Sequence, residues 1–300
     1  MIAYLNGRYV DAAELHISPV DSGFMLGITI AEQLRTLGGK VFQIDQHLDR
    51  MRGGLAEIGL ADQIATAELP EIIHRIVDEN FKQLPTGGDL GITVFATPGI
   101  YPTYAPDEVP TPTLSVHSYP LPFQFWANKY DTGQNVVVVK TQQISPKSWP
   151  MHIKCRSRMH YYLADREAKQ IDPKATALLL DENRCLSETP IANIVLHLPD
   201  EGLVSPAKER ILPGVSLQFL ESLAAEIKTP IHFRDISEAE LARADEIMLS
   251  STPYCLLSVS SIQNGGFTVE KPGPLYQRLC RSWIDAVGFD FVEQAKRFAP

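Results

Sequence analysis

The chain has 300 residues, 44% of them hydrophobic, so it can bury a sizeable core and is expected to form two domains at about 100–200 residues per domain. Its 27 basic and 36 acidic side chains give a formal charge of −9, the wrong sign for a surface that neutralises nucleic-acid phosphates. The apolar stretches are far shorter than the ~20 residues that span a bilayer, and a turn signal interrupts the first ten residues, so we expect a cytoplasmic protein without a membrane span.

Two hairpins are predicted near the N-terminus. The first joins residues 2–5 to 8–10 through Asn6-Gly7, because a type I′ turn needs positive φ at both central positions and Asn-Gly tolerates it. The second covers residues 33–42 and turns at Gly38-Gly39. These signals place strands at the start of the chain.

Helical periodicity follows. Asp45 is predicted to cap a helix whose apolar stripe recurs at a 3.6-residue period, at Leu48, Met51, Leu55 and Ile58. A further helix over residues 69–81 and strands over 90–96 and 112–119 complete a mixed α and β region.

Seven prolines between positions 98 and 122 favour extended loops over helix. We therefore expect a small N-terminal α/β domain over 1–120, an interdomain linker over 121–132 and a larger C-terminal domain over 133–300. The patterns of the second half predict strands over 135–140, 175–180 and 193–198 and helices over 159–170, 217–228 and 274–287.

Lys154 is the first residue that can carry chemistry. It follows an apolar residue and precedes a predicted helix, with arginines two and four positions later. Nearby cations and partial burial favour the neutral amine, which is the form that condenses with a carbonyl. Taken alone, a solvated surface lysine is the simpler interpretation, just as Glu188 alone is most simply an exposed turn carboxylate.

A candidate anion site lies at the start of the predicted helix after Pro213-Gly214. The backbone N–H groups around Val215 and Ser216 can bind an anion, and Gly214 allows a ligand to approach closely. Ser251 and Thr252, at the end of an apolar strand, can complete a phosphate cup. Simple capping by Ser216 and ordinary turn chemistry are the alternatives. Four scattered cysteines without CxxC spacing predict neither a disulfide framework nor a zinc site, and no metal is expected.

In this order and spacing the segments resemble the class IV (fold-type IV) aminotransferases, the family of branched-chain aminotransferase, D-amino-acid aminotransferase and aminodeoxychorismate lyase. The resemblance covers nearly the whole chain, and several motifs in register are hard to obtain by accident. The matching segments are Tyr4-Leu-Asn-Gly-Arg-Tyr-Val, Asp21-Ser-Gly-Phe-Met-Leu-Gly, Glu32-Gln-Leu-Arg, His47-Leu-Asp-Arg50, Ile153-Lys154, Glu188 with Asn193-Ile, and Ile211-Leu-Pro-Gly-Val-Ser.

The resemblance implies an α+β (mixed α/β) fold of two domains with pyridoxal 5'-phosphate between them, and a homodimer. It implies that Lys154 forms the Schiff base and shuttles the substrate proton, and that Glu188 pairs with the pyridinium nitrogen. It further implies a set of cofactor contacts: phosphate binding by Arg50, Val215, Ser216, Ser251 and Thr252, with Leu212 against one face of the ring.

Several positions depart from the family. Ala31 replaces an aromatic pocket residue, and Met159 replaces the tyrosine that lies five residues after the lysine in branched-chain enzymes. Arg156, Arg158 and Tyr161 are the candidates to substitute for it. Residues 93–99 lack the Arg-x-His pair of D-amino-acid aminotransferases, and Pro253 removes a backbone donor that branched-chain enzymes use.

Three functions follow from these residues. The first is an aminotransferase acting between an amino acid (branched-chain-like) and a 2-oxo acid. The second is an aminodeoxychorismate lyase-like enzyme that releases pyruvate, which Arg158 favours. The third is a catalytically impaired homologue, against which the retained Lys154 and Glu188 argue.

Overall fold

The structure is a computed structural model that describes residues 1–107 and 109–298. Position 108 and the last two residues of the predicted C-terminal domain, 299 and 300, lie outside the described residues. The chain divides into an N-terminal unit, Met1–Leu121 with Ile153–Ser157, and a C-terminal unit, Pro122–His152 with Arg158–Pro300. Each unit combines one sheet with helices, so the predicted mixed α/β fold is confirmed.

The sheet of the N-terminal unit is antiparallel, with strand order β2-β1-β6-β5-β3-β4. Its strands are β1 (Ile2–Leu5), β2 (Arg8–Asp11), β3 (Ile30–Leu37), β4 (Lys40–Val41), β5 (Leu90–Thr97) and β6 (Thr113–Pro120). Its helices are α1 (Ser22–Met25), α2 (Ile44–Glu57) and α3 (Leu69–Phe81).

Both predicted hairpins are confirmed. Asn6 and Gly7 have φ of 46° and 86°, which is the left-handed pair that a type I′ turn requires between β1 and β2. Gly38 and Gly39 connect β3 to β4 in the same way.

Helix α2 begins one residue before the predicted cap. Gln43 is the N-cap residue, its φ is 50°, and no side chain caps the helix, so the prediction that Asp45 caps it is wrong. The left-handed Gln43 turns the chain directly from β4 into the helix, which leaves Asp45 in the first turn, where a negative charge is still favourable. The predicted stripe of Leu48, Met51 and Leu55 is buried.

Helices α2 and α3 cover one face of the sheet. Ile30 and Leu34 of β3 and Val94 of β5 share a core with the apolar residues of both helices. Because side chains alternate along a strand, the intervening residues of β3, β5 and β6 lie on the opposite face.

The C-terminal unit has an eight-stranded sheet of order β11-β10-β9-β12-β13-β7-β8, with β14 paired to β13. Its strands are β7 (Gln134–Val138), β8 (Thr176–Leu178), β9 (Asn193–Leu198), β10 (Gly202–Pro206), β11 (Ile231–Arg234), β12 (Glu246–Ser251), β13 (Cys255–Gln263) and β14 (Phe267–Thr268). Its helices are α4 (Lys129–Thr132), α5 (Met159–Ile171), α6 (Val215–Glu226), α7 (Pro274–Val287) and α8 (Phe291–Arg297).

The segment assigned to an interdomain linker has helical structure instead. A 3-10 turn at Phe123–Phe125 and helix α4 lie within it, and Trp126, Ala127 and Tyr130 are buried in the C-terminal unit. Aromatic side chains, which bury a large area, therefore anchor this stretch to the core of that unit. Among the described residues, no helix has the length and apolar character needed to cross a membrane.

Candidate functional site

Lys154 lies in a short segment that continues the edge of β3. Cys155 forms a bridge with Ile30, the N–H of Ala31 donates to the carbonyl of Lys154 at 2.9 Å, and the N–H of Arg156 donates to the carbonyl of Thr29 at 3.0 Å. The backbone on both sides of Cys155 is therefore fixed to the sheet of the N-terminal unit. The sequence analysis had assigned Lys154 to the C-terminal domain, and long-range pairing of this kind leaves no local signal in the sequence.

A buried charge cluster lies on the face of β3 that helix α2 covers. Glu32 receives two hydrogen bonds from Arg50, Nε to Oε1 at 2.8 Å and Nη2 to Oε2 at 2.7 Å, and Nδ1 of His47 is 2.8 Å from Oε2. Burial alone would raise the pKa of Glu32, but the charge and hydrogen bonds of Arg50, aided by His47, lower it to about 2. Arg50, the predicted phosphate ligand, is thus held in position by a bidentate ion pair.

His47 is fully buried in this cluster. Burial lowers its pKa against the opposing effect of Glu32, and the charges of Arg50 and Lys154 lower it further. Its Nε2 is buried without a hydrogen-bond partner among the described residues.

Glu188 is the centre of a second cluster, in the C-terminal unit. It is 5% exposed. Its Oε1 accepts from the Tyr161 hydroxyl at 2.7 Å and from Nε2 of Gln143 at 3.4 Å. Its Oε2 accepts from Nδ2 of Asn193 at 3.0 Å and from the N–H of Leu212 at 3.2 Å. Four donors around one carboxylate stabilise its ionised form.

Tyr161 and Gln143 are the site residues that the sequence analysis did not assign to Glu188. Gln143 also donates to the Tyr161 hydroxyl at 2.9 Å. Burial and the negative charge of Glu188 raise the pKa of Tyr161 well above its usual value, so the phenol stays protonated as a donor. The available sequence signal was a tyrosine in the first turn of α5. The sequence analysis left Tyr161 as one of three candidates to substitute for the tyrosine that Met159 replaces.

Arg158, a second of those candidates, has a structural role in the C-terminal unit. Its guanidinium donates to the carbonyl of Pro190 and lies over the Tyr161 ring, 4.5 Å from the centroid. It therefore braces the aromatic ring that reaches Glu188.

The start of α6 has the features of an anion site. Val215 and Ser216 occupy its first turn, where N–H groups have no partner within the helix, and no side chain caps it. Oγ of Ser216 lies 3.3 Å from Oγ1 of Thr252, which follows β12. The two hydroxyls therefore lie next to each other, and one of them belongs to the first turn of α6.

Leu212 and Ser251 have more specific environments. The backbone of Leu212 is tied to the Glu188 cluster, since its carbonyl accepts from Asn193 at 3.0 Å, and its side chain is half-exposed. The hydroxyl of Ser251 donates to the carbonyl of Ile191 at 2.6 Å, so its proton is already used.

The structure therefore assembles the predicted residues in two groups. Lys154 and Arg50 lie in the N-terminal unit, and the other six lie in the C-terminal unit: Glu188, Leu212, Val215, Ser216, Ser251 and Thr252.

Comparison with known proteins identifies the family of the chain. The family model described as amino-transferase class IV matches residues 29–262. A D-alanine aminotransferase of Staphylococcus aureus (strain N315) is 26% identical over 284 residues, covering 92% of this chain and 94% of that protein.

Solved structures show the same fold. The branched-chain amino acid aminotransferase of Escherichia coli superposes with a TM-score of 0.86 at 19% identity, over 95% of this chain and 93% of that chain. The 4-amino-4-deoxychorismate lyase of Pseudomonas aeruginosa superposes with a TM-score of 0.78 at 24% identity, over 96% of this chain and 100% of that chain.

Proposed function

This chain belongs to the class IV aminotransferase family, and from that premise we propose that it transfers an amino group between an amino acid (branched-chain-like) and a 2-oxo acid with pyridoxal 5'-phosphate as cofactor. The observation that carries the choice of cofactor is the Glu188 carboxylate, which is buried and receives four hydrogen bonds. A carboxylate kept charged in this way suits a protonated ring nitrogen.

The donor set fits the phosphate end of the cofactor as well. The N–H groups of Val215 and Ser216 and the Ser216 and Thr252 hydroxyls would supply four donors to a phosphate. Arg50, which Glu32 holds in the N-terminal unit, would supply a positive charge. Ser251 has a supporting role, because its hydroxyl holds the main chain at Ile191.

Lys154 is the group that we assign to covalent attachment and proton transfer. When bound, pyridoxal phosphate supplies an aldehyde carbon that condenses with amines and a ring that accepts electrons. Nζ of Lys154 removes and returns the proton at the α-carbon of the substrate. Because hydrogen bonds to β3 hold the backbone on both sides of Cys155, the amine starts from a fixed position.

Glu188 and Leu212 position the ring in this proposal. Glu188 would hold the proton at the ring nitrogen, and Leu212, whose side chain is half-exposed, would supply an apolar contact to the ring. The shared hydrogen bonds of Asn193 link the two residues, so the carboxylate and the apolar contact are set together.

Borohydride reduction tests the attachment. The cofactor-loaded protein is reduced, digested and mapped by mass spectrometry, and the cofactor mass should appear on the peptide that contains Lys154. Lys154→Arg should abolish labelling, while the control Lys82→Arg, at an exposed lysine of the N-terminal unit, should retain it. Labelling elsewhere or not at all would refute the assignment.

A substrate panel tests the reaction. We expect the loaded enzyme to convert amino donors only when a 2-oxo acid acceptor is present, with ping-pong kinetics. Both enantiomers of each donor belong in the panel. Release of pyruvate without an acceptor would identify the lyase instead. On family analogy we also propose a homodimer, which light scattering in solution can test.

A further inference from the structure

The aromatic ring of Tyr161 stacks against the imidazole of the residue before it in α5. The ring centroids of His160 and Tyr161 lie 3.9 Å apart, and their planes are inclined by 39°. The hydroxyl of the same tyrosine donates to Glu188 at 2.7 Å. A ring contact and the hydrogen bond to the carboxylate therefore meet in one side chain of the C-terminal unit.

A second aromatic contact restrains His160. The rings of Trp149 and His160 are 6.3 Å apart at 69°, which is the edge-to-face arrangement that aromatic pairs prefer. Trp149 lies in the connection between β7 and the segment that carries Lys154. Trp149, His160 and Tyr161 are all partly exposed, so these contacts lie at the surface of the unit and not in its core.

The same connection reaches Tyr161 by a polar route. Nε2 of Gln143 donates to the Tyr161 hydroxyl at 2.9 Å and to Oε1 of Glu188 at 3.4 Å. Oε1 of Gln143 accepts from the N–H of Ile144 at 2.9 Å, which fixes the amide to the backbone of the connection. Gln143 therefore holds the oxygen end of Tyr161, while His160 contacts its ring.

His160 is uncharged at neutral pH. Burial, with the charge of Arg158, lowers the pKa of His160 to about 4. The cation over the phenol ring is therefore the guanidinium of Arg158, 4.5 Å from the Tyr161 centroid, and the imidazole adds a neutral planar surface. A phenyl ring can reproduce such a surface, whereas an aliphatic or amide side chain cannot.

The contact at the ring matters because of how a tyrosine hydroxyl is placed. Its position depends on two side-chain torsions, and the torsion about the bond to the ring has a broad energy minimum. A hydrogen bond restrains the oxygen, and a stacked neighbour restrains the plane of the ring. A side chain locked by packing holds its functional atom more precisely than one held by a hydrogen bond alone.

We propose that His160 is a positioning residue, whose imidazole, itself contacted by Trp149, holds the ring of Tyr161 so that the hydroxyl stays on Glu188. The inference rests on the proposed function, because Glu188 is there the carboxylate that faces the ring nitrogen of the cofactor. His160 acts through Tyr161 and takes no part in proton transfer.

Substitution at His160 tests the proposal by the kinetics of the cofactor-loaded enzyme. His160→Ala should lower kcat about threefold to tenfold with little change in KM, because losing an aromatic pair weakens one hydrogen bond without touching the substrate. His160→Gln, which also lacks a ring, should behave in the same way. His160→Phe should restore kcat to within about twofold of wild type, because it keeps a planar ring.

A double variant distinguishes positioning from a separate effect on the reaction. Tyr161→Phe has no hydroxyl to place, so adding His160→Ala to it should cause no further loss of kcat. Two effects that are independent would instead multiply in rate, because their free energies add. His74→Ala is the matched control, at an exposed histidine of helix α3 in the other unit, and should behave as wild type.

Nuclear magnetic resonance of the cofactor-free protein gives a readout without turnover. The chemical shift of Cζ in carbon-13-labelled tyrosine responds to the hydrogen bond of the hydroxyl, and Tyr161→Phe assigns the signal. Glu188→Gln provides the reference for a neutral acceptor. His160→Ala should move the Tyr161 signal towards this reference, and His160→Phe should return it to the wild-type position.

Three results would each overturn the proposal. They are an unchanged kcat in His160→Ala, a loss of kcat without a shift of the Tyr161 signal, and a loss of the same size in the Tyr161→Phe background. Failure of His160→Phe to restore kcat would exclude stacking as the cause. Borohydride labelling of Lys154 in the same variants reports on the proposed function separately, since the labelling does not depend on the position of Tyr161.

Discussion

The hydroxyl of Tyr161 donates a hydrogen bond of 2.7 Å to Oε1 of Glu188. The phenol cannot share this proton easily, because burial and the adjacent carboxylate raise its pKa well above the usual value. The donor on α5 therefore stabilises the carboxylate as an anion, while Asn193 and Leu212 hold the other oxygen. Tyr161 acts through Glu188, so we describe it as a positioning residue.

Tyr161→Phe should lower kcat about tenfold with little change in KM. The substitution removes one of four donors to an ionised carboxylate, and a lost charge-assisted hydrogen bond of about 1.5 kcal/mol corresponds to about tenfold in rate. Steady-state kinetics over a pH series measures the effect, since a less stabilised anion should also displace the pH profile. Tyr162→Phe, at an exposed tyrosine of the same helix, should behave as wild type. An equal loss in both variants would point to helix packing instead.

The Glu32 cluster should make the protein sensitive to acid. The pKa of Glu32 falls from 4.5 to about 2 in the folded chain. The ionised Glu32 therefore contributes about 3 kcal/mol to the free energy of unfolding. This contribution is complete above pH 4.5 and is lost as the pH falls towards 2. His47, whose pKa is also lowered, adds to the loss below its usual value of 6.5. Urea unfolding from pH 7 to pH 3 measures the slope.

Glu32→Gln tests the assignment of this slope. The variant should be about 3–5 kcal/mol less stable at pH 7, because the buried Arg50 loses its counter-charge. Below pH 4.5 its stability should depend less on pH than that of wild type. Asp49→Asn removes an exposed carboxylate from α2, the helix that carries Arg50, and we expect a change below 1 kcal/mol. A variant that keeps the wild-type acid slope would assign that slope to other groups.

Local patterns were sufficient for much of the fold. The hairpin at Asn6-Gly7 follows from turn chemistry, and α3 and α7 have the predicted bounds because their periodicity agrees with burial. Helix α6 starts two residues before the predicted Leu217, since an N-cap glycine without a side-chain cap leaves little signal. The helical turns within residues 121–132 were not predicted, because proline content does not report the aromatic packing that buries Trp126.

The candidate site was predictable only where a motif is local. Val215, Ser216 and Thr252 were chosen from helix-start and strand-end chemistry, and the hydroxyls of Ser216 and Thr252 are in contact. The partners of Glu188 were not predictable, because Tyr161 and Gln143 are 27 and 45 residues away and meet it only through tertiary packing.

The Ser216 and Thr252 hydroxyls should determine cofactor affinity. Ser216→Ala or Thr252→Ala should each raise the Kd for pyridoxal phosphate about tenfold, the loss of one hydrogen bond to a charged group. Spectral titration of the cofactor-free protein measures the Kd. Ser222→Ala is the matched control on α6, since its hydroxyl donates to the carbonyl of Phe219 on the exposed side. Unchanged affinity in both variants would remove the phosphate from this position.

We expect Gly214 to be needed for the stability of the folded chain and not only for ligand binding. Its φ is −63°, a value open to any residue, so conformational freedom does not explain the glycine. A Cβ there would lie 2.0 Å from Oδ1 of Asn193, the side chain that also donates to Glu188 and to the Leu212 carbonyl. Gly214→Ala must therefore displace either Asn193 or the first turn of α6, and we expect the free energy of unfolding to fall by about 1–3 kcal/mol.

Asn193→Ala with Gly214→Ala is the decisive combination, because it removes the clashing amide. If the double variant is no less stable than Asn193→Ala alone, steric exclusion by Asn193 is the reason for the glycine. Full additivity of the two losses would instead show that the added methyl group clashes elsewhere.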